Sequence, residues 1–569
     1  MSIPTQEIGE ELYLHRILES MPRVLSHLDR EPFSATAGSF DRLYWAWNAI
    51  DISNMDLQRL ILPLSFLYQY EAPSNPYYHR PVLLQWMEQA ILYSCREQYG
   101  NGAFTQWYPN DNSVVTAGVL PHDLALAIPW ISDCLREETK KQFLRMVHRA
   151  ARFLLRHEER HGFNSNHQLG IAAGLLDIHA LTGEAAYQRR AVSIIDRVLD
   201  RQMASGGFFE YAGADPGYHT LGLAFLAACA TRHPEPRLRE ALAKGLKFSS
   251  HFLSSVSGNG GHYGSRGTKL LFPSGFEIAV QLGVGPDLRS VVRPLIHRDL
   301  GVTNRTTDHQ NLAPILSDYV RAFRGAQATS ILSGNPAPHR HSSDFFCPAS
   351  TLFCFQRGPY WLRGRWNGGM VQVENTETGK RLFSSAGYSI LLGRGVGFTG
   401  VLNGECVQEG NRMTFRAYAQ RPTRMRQRPS LFMLLRVYQA LFGRLMPANV
   451  LLKWLLARLL IFRRQRLPIK ITRTLQLSPS EVVIEDHLEN LTHGPAVVRH
   501  CPEGYMNFMG SARYFDGSEL SAESVTPEGQ AERPGREWTL AARGRLQIRY
   551  RIPLKAPLET ASVVEASSP

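Results

Sequence analysis

Three stretches of the 569-residue chain crowd glycine together with side chains able to move or stabilise a proton. The first, FNSNHQLG, sets Asn164, Asn166 and His167 immediately before the apolar run GIAAGLLDIHAL. Asparagine at that place also serves as an ordinary helix cap. The second, RQMASGGFFEYAGADPGYHTLGLAFLA, carries Glu210 and Asp215 on a Gly-rich loop and ends in Tyr218 and His219 at the start of another helix. A turn with a buried, hydrogen-bonded tyrosine is the plainer alternative there. The third, GNGGHYGSRGTKLLFPSGFE, offers His262, Tyr263, Arg266 and Glu277 in a loop whose glycine content places it outside the core. Polar aromatic residues beside an arginine suit an anionic ligand. Asn166 as a donor, with His167 as donor or cation, suits negative charge that develops on an oxygen during a reaction. Tyr218 suits proton transfer, provided that donors or positive charge offset its ordinary pKa of about 10. His219, His262 and Arg266 are the candidates for that environment. Hydrolysis by paired carboxylates is the competing chemistry, with Glu210, Asp215 and Glu277 available, but it leaves the Asn-His and Tyr-His motifs without a role.

These loops need helices to hold them. Up to about residue 335 the apolar residues recur at helical spacing: Phe143, Val147, Ala150 and Leu154 form one stripe, Tyr187, Ala191, Ile194, Val198 and Leu199 a second, and Leu238, Leu242 and Leu246 a third. Short turns such as LTGEA and RHPEP separate them, which predicts successive antiparallel helical hairpins. After about residue 345 the texture changes to short β-rich or alternating runs, among them TLFCFQRG, YWLRGRW, GMVQVEN, YSILLGRG, KITRTLQL, EVVIEDHLEN, PAVVRH and LQIRYRI. The Pro-, Ser- and Gly-rich SGNPAPHRHSSD is the predicted linker between the two regions.

Composition narrows the class further. With 44% hydrophobic and 20% charged residues the chain reads as folded, not as disordered or collagen-like. Seven scattered cysteines form no CxxC pair, so neither a disulfide framework nor a zinc ribbon is predicted, and a reducing compartment is expected. The acidic start MSIPTQEIGEELYLHRILES does not read as a secretory signal, which makes the expected location cytoplasmic. The net charge of +13 is concentrated in one place: no acidic residue occurs between Glu409 and Glu481, where fifteen Lys or Arg lie. That distribution argues against a nucleic-acid binder. Within it, LFMLLRVYQALFGRL and NVLLKWLLARLLIF are apolar runs interrupted by Arg436, Arg444, Lys453 and Arg458. Each such charge makes a buried span costly. The pattern predicts one or two helices, broken at Pro447, on an anionic membrane surface through residues 420–470; a packed insertion or a dimer contact is the alternative.

The motifs together resemble the heparinase II/III-like superfamily of polysaccharide lyases and the related alginate lyases and uronyl C5-epimerases of similar architecture. The family's Gln, Gly-containing turn, Glu and helix-opening Tyr-His are matched by Gln202, Gly206 and Gly207, Glu210 and Tyr218-His219, with Asn166-His167 about fifty residues upstream. KITRTLQLSPSEVVIEDHLENLT looks like strands of the family's β-sandwich. The resemblance implies an α+β multidomain fold: an N-terminal (α/α) toroid over residues 1–335, then an antiparallel β-sandwich over 345–569, interrupted by a basic helical insertion at 410–470. It implies Tyr218, His167 and Asn166 as catalytic residues and Glu210 and His219 as substrate-binding ones, to which the third loop adds His262, Tyr263 and Arg266 as substrate-binding candidates. Many members carry a metal-associated histidine stretch in the first sheet, where this chain has Asn367 and no histidine, so neither metal nor cofactor is expected. The implied activity is β-elimination on a uronic-acid-containing, anionic polysaccharide. C5 epimerisation of a nascent glycan and non-catalytic glycan binding are the alternatives. A cytoplasmic location at the inner face of the membrane favours a glycan under assembly.

Overall fold

A computed structural model describes residues 9–159, 162–211, 213–254, 257–328, 344–393, 395–400, 404–422, 428–462, 465–502, 510–515, 537–554 and 563–564. The predicted linker lies outside the described residues except for Asp344. The N-terminal region is an (α/α) toroid. Six helices, Ile61–Gln69, Val114–Ile131, Ser165–Thr182, Pro216–Arg232, Ser274–Gln281 and His309–Gln327, each pack on the next, and the last returns to the first. Around them stand Glu11–His27, Pro81–Glu97, Glu137–Arg156, Ala185–Leu199, Pro236–Ser250 and Arg289–His297.

The two rings differ in how they are encoded. The three predicted stripes lie on outer helices, which bury one face and expose the other. Inner helices such as Val114–Ile131 and Ser165–Thr182 are buried on nearly every side. A methyl group at Gly174 would fall on the Gly118 carbonyl oxygen, so these two inner helices touch backbone to backbone. Val114–Cys134 has a mean hydropathy of 1.5, enough for a membrane span, yet 78% of that stretch is buried as the toroid's inner wall.

The C-terminal region is antiparallel throughout. Phe345–Cys347, Leu352–Arg357, Tyr360–Arg365, Met370–Asn375 and Lys380–Ser385 form a five-stranded meander. A larger sheet is centred on Arg412–Arg421, Gln465–Leu477, Glu481–Asn490 and Arg545–Pro553. Phe353, Leu362, Val371 and Phe383 from the first sheet pack against Ile469, Ile471, Ile484 and Ile548 from the second, which makes the pair a sandwich. Arg473 ties them: its guanidinium donates to Asp486 at 2.7 Å in its own sheet and to the Gly369 carbonyl at 2.6 Å on the other.

The basic segment leaves the sheet between two paired strands. It forms the helices Pro429–Phe442 and Met446–Leu456 and a π-helical turn, Ala457–Phe462. The break falls at 443–445, not at Pro447. That proline sits in the first turn of the second helix, where its missing N–H is no loss.

Candidate active site

Two neighbouring inner helices begin at one rim of the toroid, and their starts are stitched together. Asn164 and Glu210 form an isolated antiparallel bridge, and the Ser165 N–H donates to the Phe209 carbonyl at 3.0 Å. Asn164 occupies the N-cap position of its helix, but its side chain makes no cap; Asp215 caps the other, its Oδ1 accepting from the Tyr218 N–H at 3.0 Å. The same carboxylate accepts from Thr268 Oγ1 at 2.5 Å and from the Arg266 N–H at 2.9 Å. Asp215 thereby fixes the Arg266 loop onto the helix that carries Tyr218.

Asn166 and Glu210 meet in a buried contact. Asn166 Nδ2 donates to Glu210 Oε2 at 2.6 Å, and its backbone N–H donates to Oε1 at 3.2 Å. Burial outweighs these donors and pushes the Glu210 pKa up to about 8, so the group is a neutral carboxyl at pH 7. Beside it, His167 Nδ1 pairs with Glu159 at 2.9 Å. Burial disfavours the imidazolium, but the charge and hydrogen bond of Glu159 win and raise the His167 pKa. With its hydrogen bonds falling on Nδ1, the ring keeps Nε2 for proton transfer.

Tyr218 Oη shares a 2.5 Å hydrogen bond with Ser511 Oγ, which reaches in from the segment between two sandwich strands. Burial pushes the phenol up to about 12, against the Ser511 hydrogen bond and the charge of Arg266. At neutral pH Tyr218 is therefore a protonated phenol, suited to giving a proton. Arg266 is buried with its guanidinium 4.7 Å above the Tyr211 ring, and its charge acts on both Tyr218 and His167. Tyr211 itself has φ 63, a left-handed backbone uncommon for a residue with a side chain.

Asn166, His167, Glu210, Tyr218 and Arg266 thus gather at one rim, and two other predicted binding residues do not. His219 is fully buried between Phe208 and Phe248. Its Nε2 meets the Gly245 carbonyl at 2.9 Å, and burial lowers its pKa to about 4, so it is a neutral core histidine. Tyr263 is buried too, packed on Phe252 under the Arg363 guanidinium. The third loop is a seam between the domains: Arg363 Nη2 donates to Glu374 at 2.7 Å and to Ser257 at 2.5 Å, and Nη1 to the Phe252 carbonyl at 3.1 Å. His262 stays half-buried on that loop. Glu277 is remote in role as well, held by Tyr13 at 2.7 Å and Arg293 at 2.8 Å.

Four residues at the rim escaped the sequence reading. Glu159 lies just upstream of FNSNH and was discoverable as an acidic neighbour of His167; Tyr211 directly follows Glu210. Ser511 gave no signal, since its partner is 293 positions away. Arg365, in the strand preceding Asn367, is buried, with Nε and Nη2 unpartnered among the described residues, and feels the charge of Asp215; burial lowers its pKa to about 10. Among the described residues no three His, Cys, Asp or Glu side chains converge as a metal-ligand set.

No family model matches the sequence, and no curated protein does. Several of the solved structures it resembles are polysaccharide lyases. The Streptomyces coelicolor A3 chondroitin AC lyase, solved with chondroitin sulphate, superposes with a TM-score of 0.53 at 12% identity, over 96% of this chain and 73% of that one. A Paenibacillus xanthan lyase gives 0.49 at 8% identity over 98% and 58% of the two chains. A heparinase III gives 0.44 at 11% identity over 98% and 87%. The likeness to the chondroitin AC lyase is one of fold alone.

Proposed function

We propose that the protein is a lyase that cleaves a uronate-containing polysaccharide by β-elimination at this rim. The observation that carries the reading is the pairing of two proton-transfer groups on adjacent helix starts, Glu159-oriented His167 and phenolic Tyr218, with the charge of Arg266 reaching both. In a uronic acid the C5 proton lies beside a carboxylate, and its removal builds a second negative charge. Arg266 and the Asn166 amide stabilise that charge, and the neutral Glu210 adds none of its own. His167 Nε2 takes the C5 proton, the C–H electrons form the C4–C5 double bond, the bond from C4 to the glycosidic oxygen breaks, and Tyr218 delivers its proton to the departing oxygen. Proton exchange with water then restores both groups.

The same two groups support a second reading. If Tyr218 returns a proton to C5 from the opposite face, the product is the C5 epimer. Proton NMR in heavy water on the full chain with a panel of uronate polymers separates the two. Vinylic sugar signals with chain shortening are expected; deuterium at C5 with chain length unchanged gives the epimerase. Neither signal across the panel, with polymer still bound, overturns the enzymatic reading in favour of glycan binding.

A further inference from the structure

The helical hairpin that interrupts the larger sheet is built inside out for a helix pair in water. Leu431, Phe432, Met433, Leu434, Val437 and Leu441 are all exposed, Met433 and Leu441 to 68%, whereas Gln439 and Asn449 are 1% exposed. The polar inner face is what grips the protein. Arg436 pairs with Asp51 at 2.7 Å, Gly443 lies against Asn110, and Lys453 acts on the buried Asp111. The hairpin is therefore anchored on loops of the toroid, and its apolar side is turned away from the molecule. The two loops that receive it carry exposed tryptophans of their own, Trp47 at 70% and Trp107 at 65%, to which the second helix adds Trp454. Tryptophan collects at the boundary between lipid and water.

Length and charge decide the occupant. Helices of 14 and 11 residues rise about 21 and 17 Å at roughly 1.5 Å per residue, and the six-residue π-helical turn that continues the second still leaves it short of the ~30 Å of a bilayer's hydrocarbon core. They can lie in the interface but not cross it. Arg444 and Arg458 stand exposed among the apolar residues, and no acidic residue occurs from 410 to 480. A second copy of this hairpin would bring like charges together; an anionic leaflet supplies the opposite charge. We infer that residues 429–462 form an interfacial docking hairpin that binds this protein to the surface of an anionic lipid membrane.

Co-sedimentation of the full chain with vesicles tests this. Binding to phosphatidylglycerol/phosphatidylcholine vesicles is expected, with at least a tenfold loss on pure phosphatidylcholine or at 0.5 M salt, where the screening length falls toward a few ångströms. The exposed triple variant M433S/L434S/L441S should lose binding at least tenfold with an unchanged melting temperature, and R444E, which leaves every apolar side chain and the stacking of Arg458 on Trp454 in place, should weaken it measurably. Brominated lipid should quench wild-type fluorescence more than that of W454F. Wild-type protein that stays in the supernatant with all vesicles overturns the inference. So does a concentration-dependent dimer, seen by light scattering, that M433S/L434S/L441S dissociates, because the face then belongs to a second copy.

Discussion

The loops at 202–219 and 258–277 look alike as sequences: both are rich in glycine, both carry an acid and a Tyr–His or His–Tyr pair, and the second adds an arginine. In three dimensions they part. The first delivers Tyr218 and Glu210 to the toroid rim, while the second delivers only Arg266 there and sends Tyr263 into the seam under Arg363. What separates them is the partner. The first loop is answered by a neighbouring helix start in the same ring, the second by strands about a hundred residues further on. Composition specifies a loop's chemistry, and the distant strand decides whether that chemistry faces solvent or a domain contact.

Substitutions at the two loops should therefore fail in different currencies. Tyr218→Phe should lower kcat by about 10²–10⁴-fold with KM and melting temperature held, since it removes the proton delivered to the leaving group and little else. Steady-state assay of the unsaturated product checks it; an equal loss of stability would move Tyr218 to the structural side of the comparison. Arg363→Ala should instead destabilise the fold by about 3–5 kcal/mol, because it leaves Glu374 buried without its partner. Denaturant unfolding reads this, and Arg363→Met with Glu374→Leu should recover most of the loss.

A pH profile sharpens the contrast within the first loop. The kcat/KM should rise as His167 loses its proton above its ordinary range, then fall near pH 8 as Glu210 ionises and sets a negative charge beside the substrate carboxylate. Glu210→Gln should abolish the descending limb and leave the ascending one. Smallest of all, Tyr263→Phe removes a single 3.4 Å hydrogen bond from Arg363 and should cost below about 1.5 kcal/mol with kcat/KM unchanged. A hundredfold fall in activity there would return the second loop to the site.

The degree to which sequence revealed structure follows the same logic. Outer helices such as Glu137–Arg156 announce themselves because one face meets water, and Glu481–Asn490 alternates between buried and more exposed positions along its length. The inner helix Ser165–Thr182 has no stripe to find, since nearly every side is covered. At the site, Asn166, His167 and Tyr218 were legible because glycine and Pro216 mark where the helices start. Ser511 and Arg365 were not, because folding brings them to the rim from other parts of the chain. Of the candidates for offsetting the Tyr218 pKa, Arg266 acts in that direction, Ser511 adds a hydrogen bond that sequence did not offer, and burial exceeds both, while His219 lies in the core.

The strands that flank the helical hairpin carry one more consequence. Arg412–Arg421 and Gln465–Leu477 pair until Arg421 stands directly opposite Gln465, so the chain departs from the sheet and re-enters it at the same point. Strand register there is set by the ladder, and closing those ends requires only a short turn. The excursion is therefore a cassette. Replacing residues 422–464 with a tight turn should leave the sandwich's strand order intact, and the excised piece carries both of its attachment ends side by side, ready to be grafted onto another antiparallel pair.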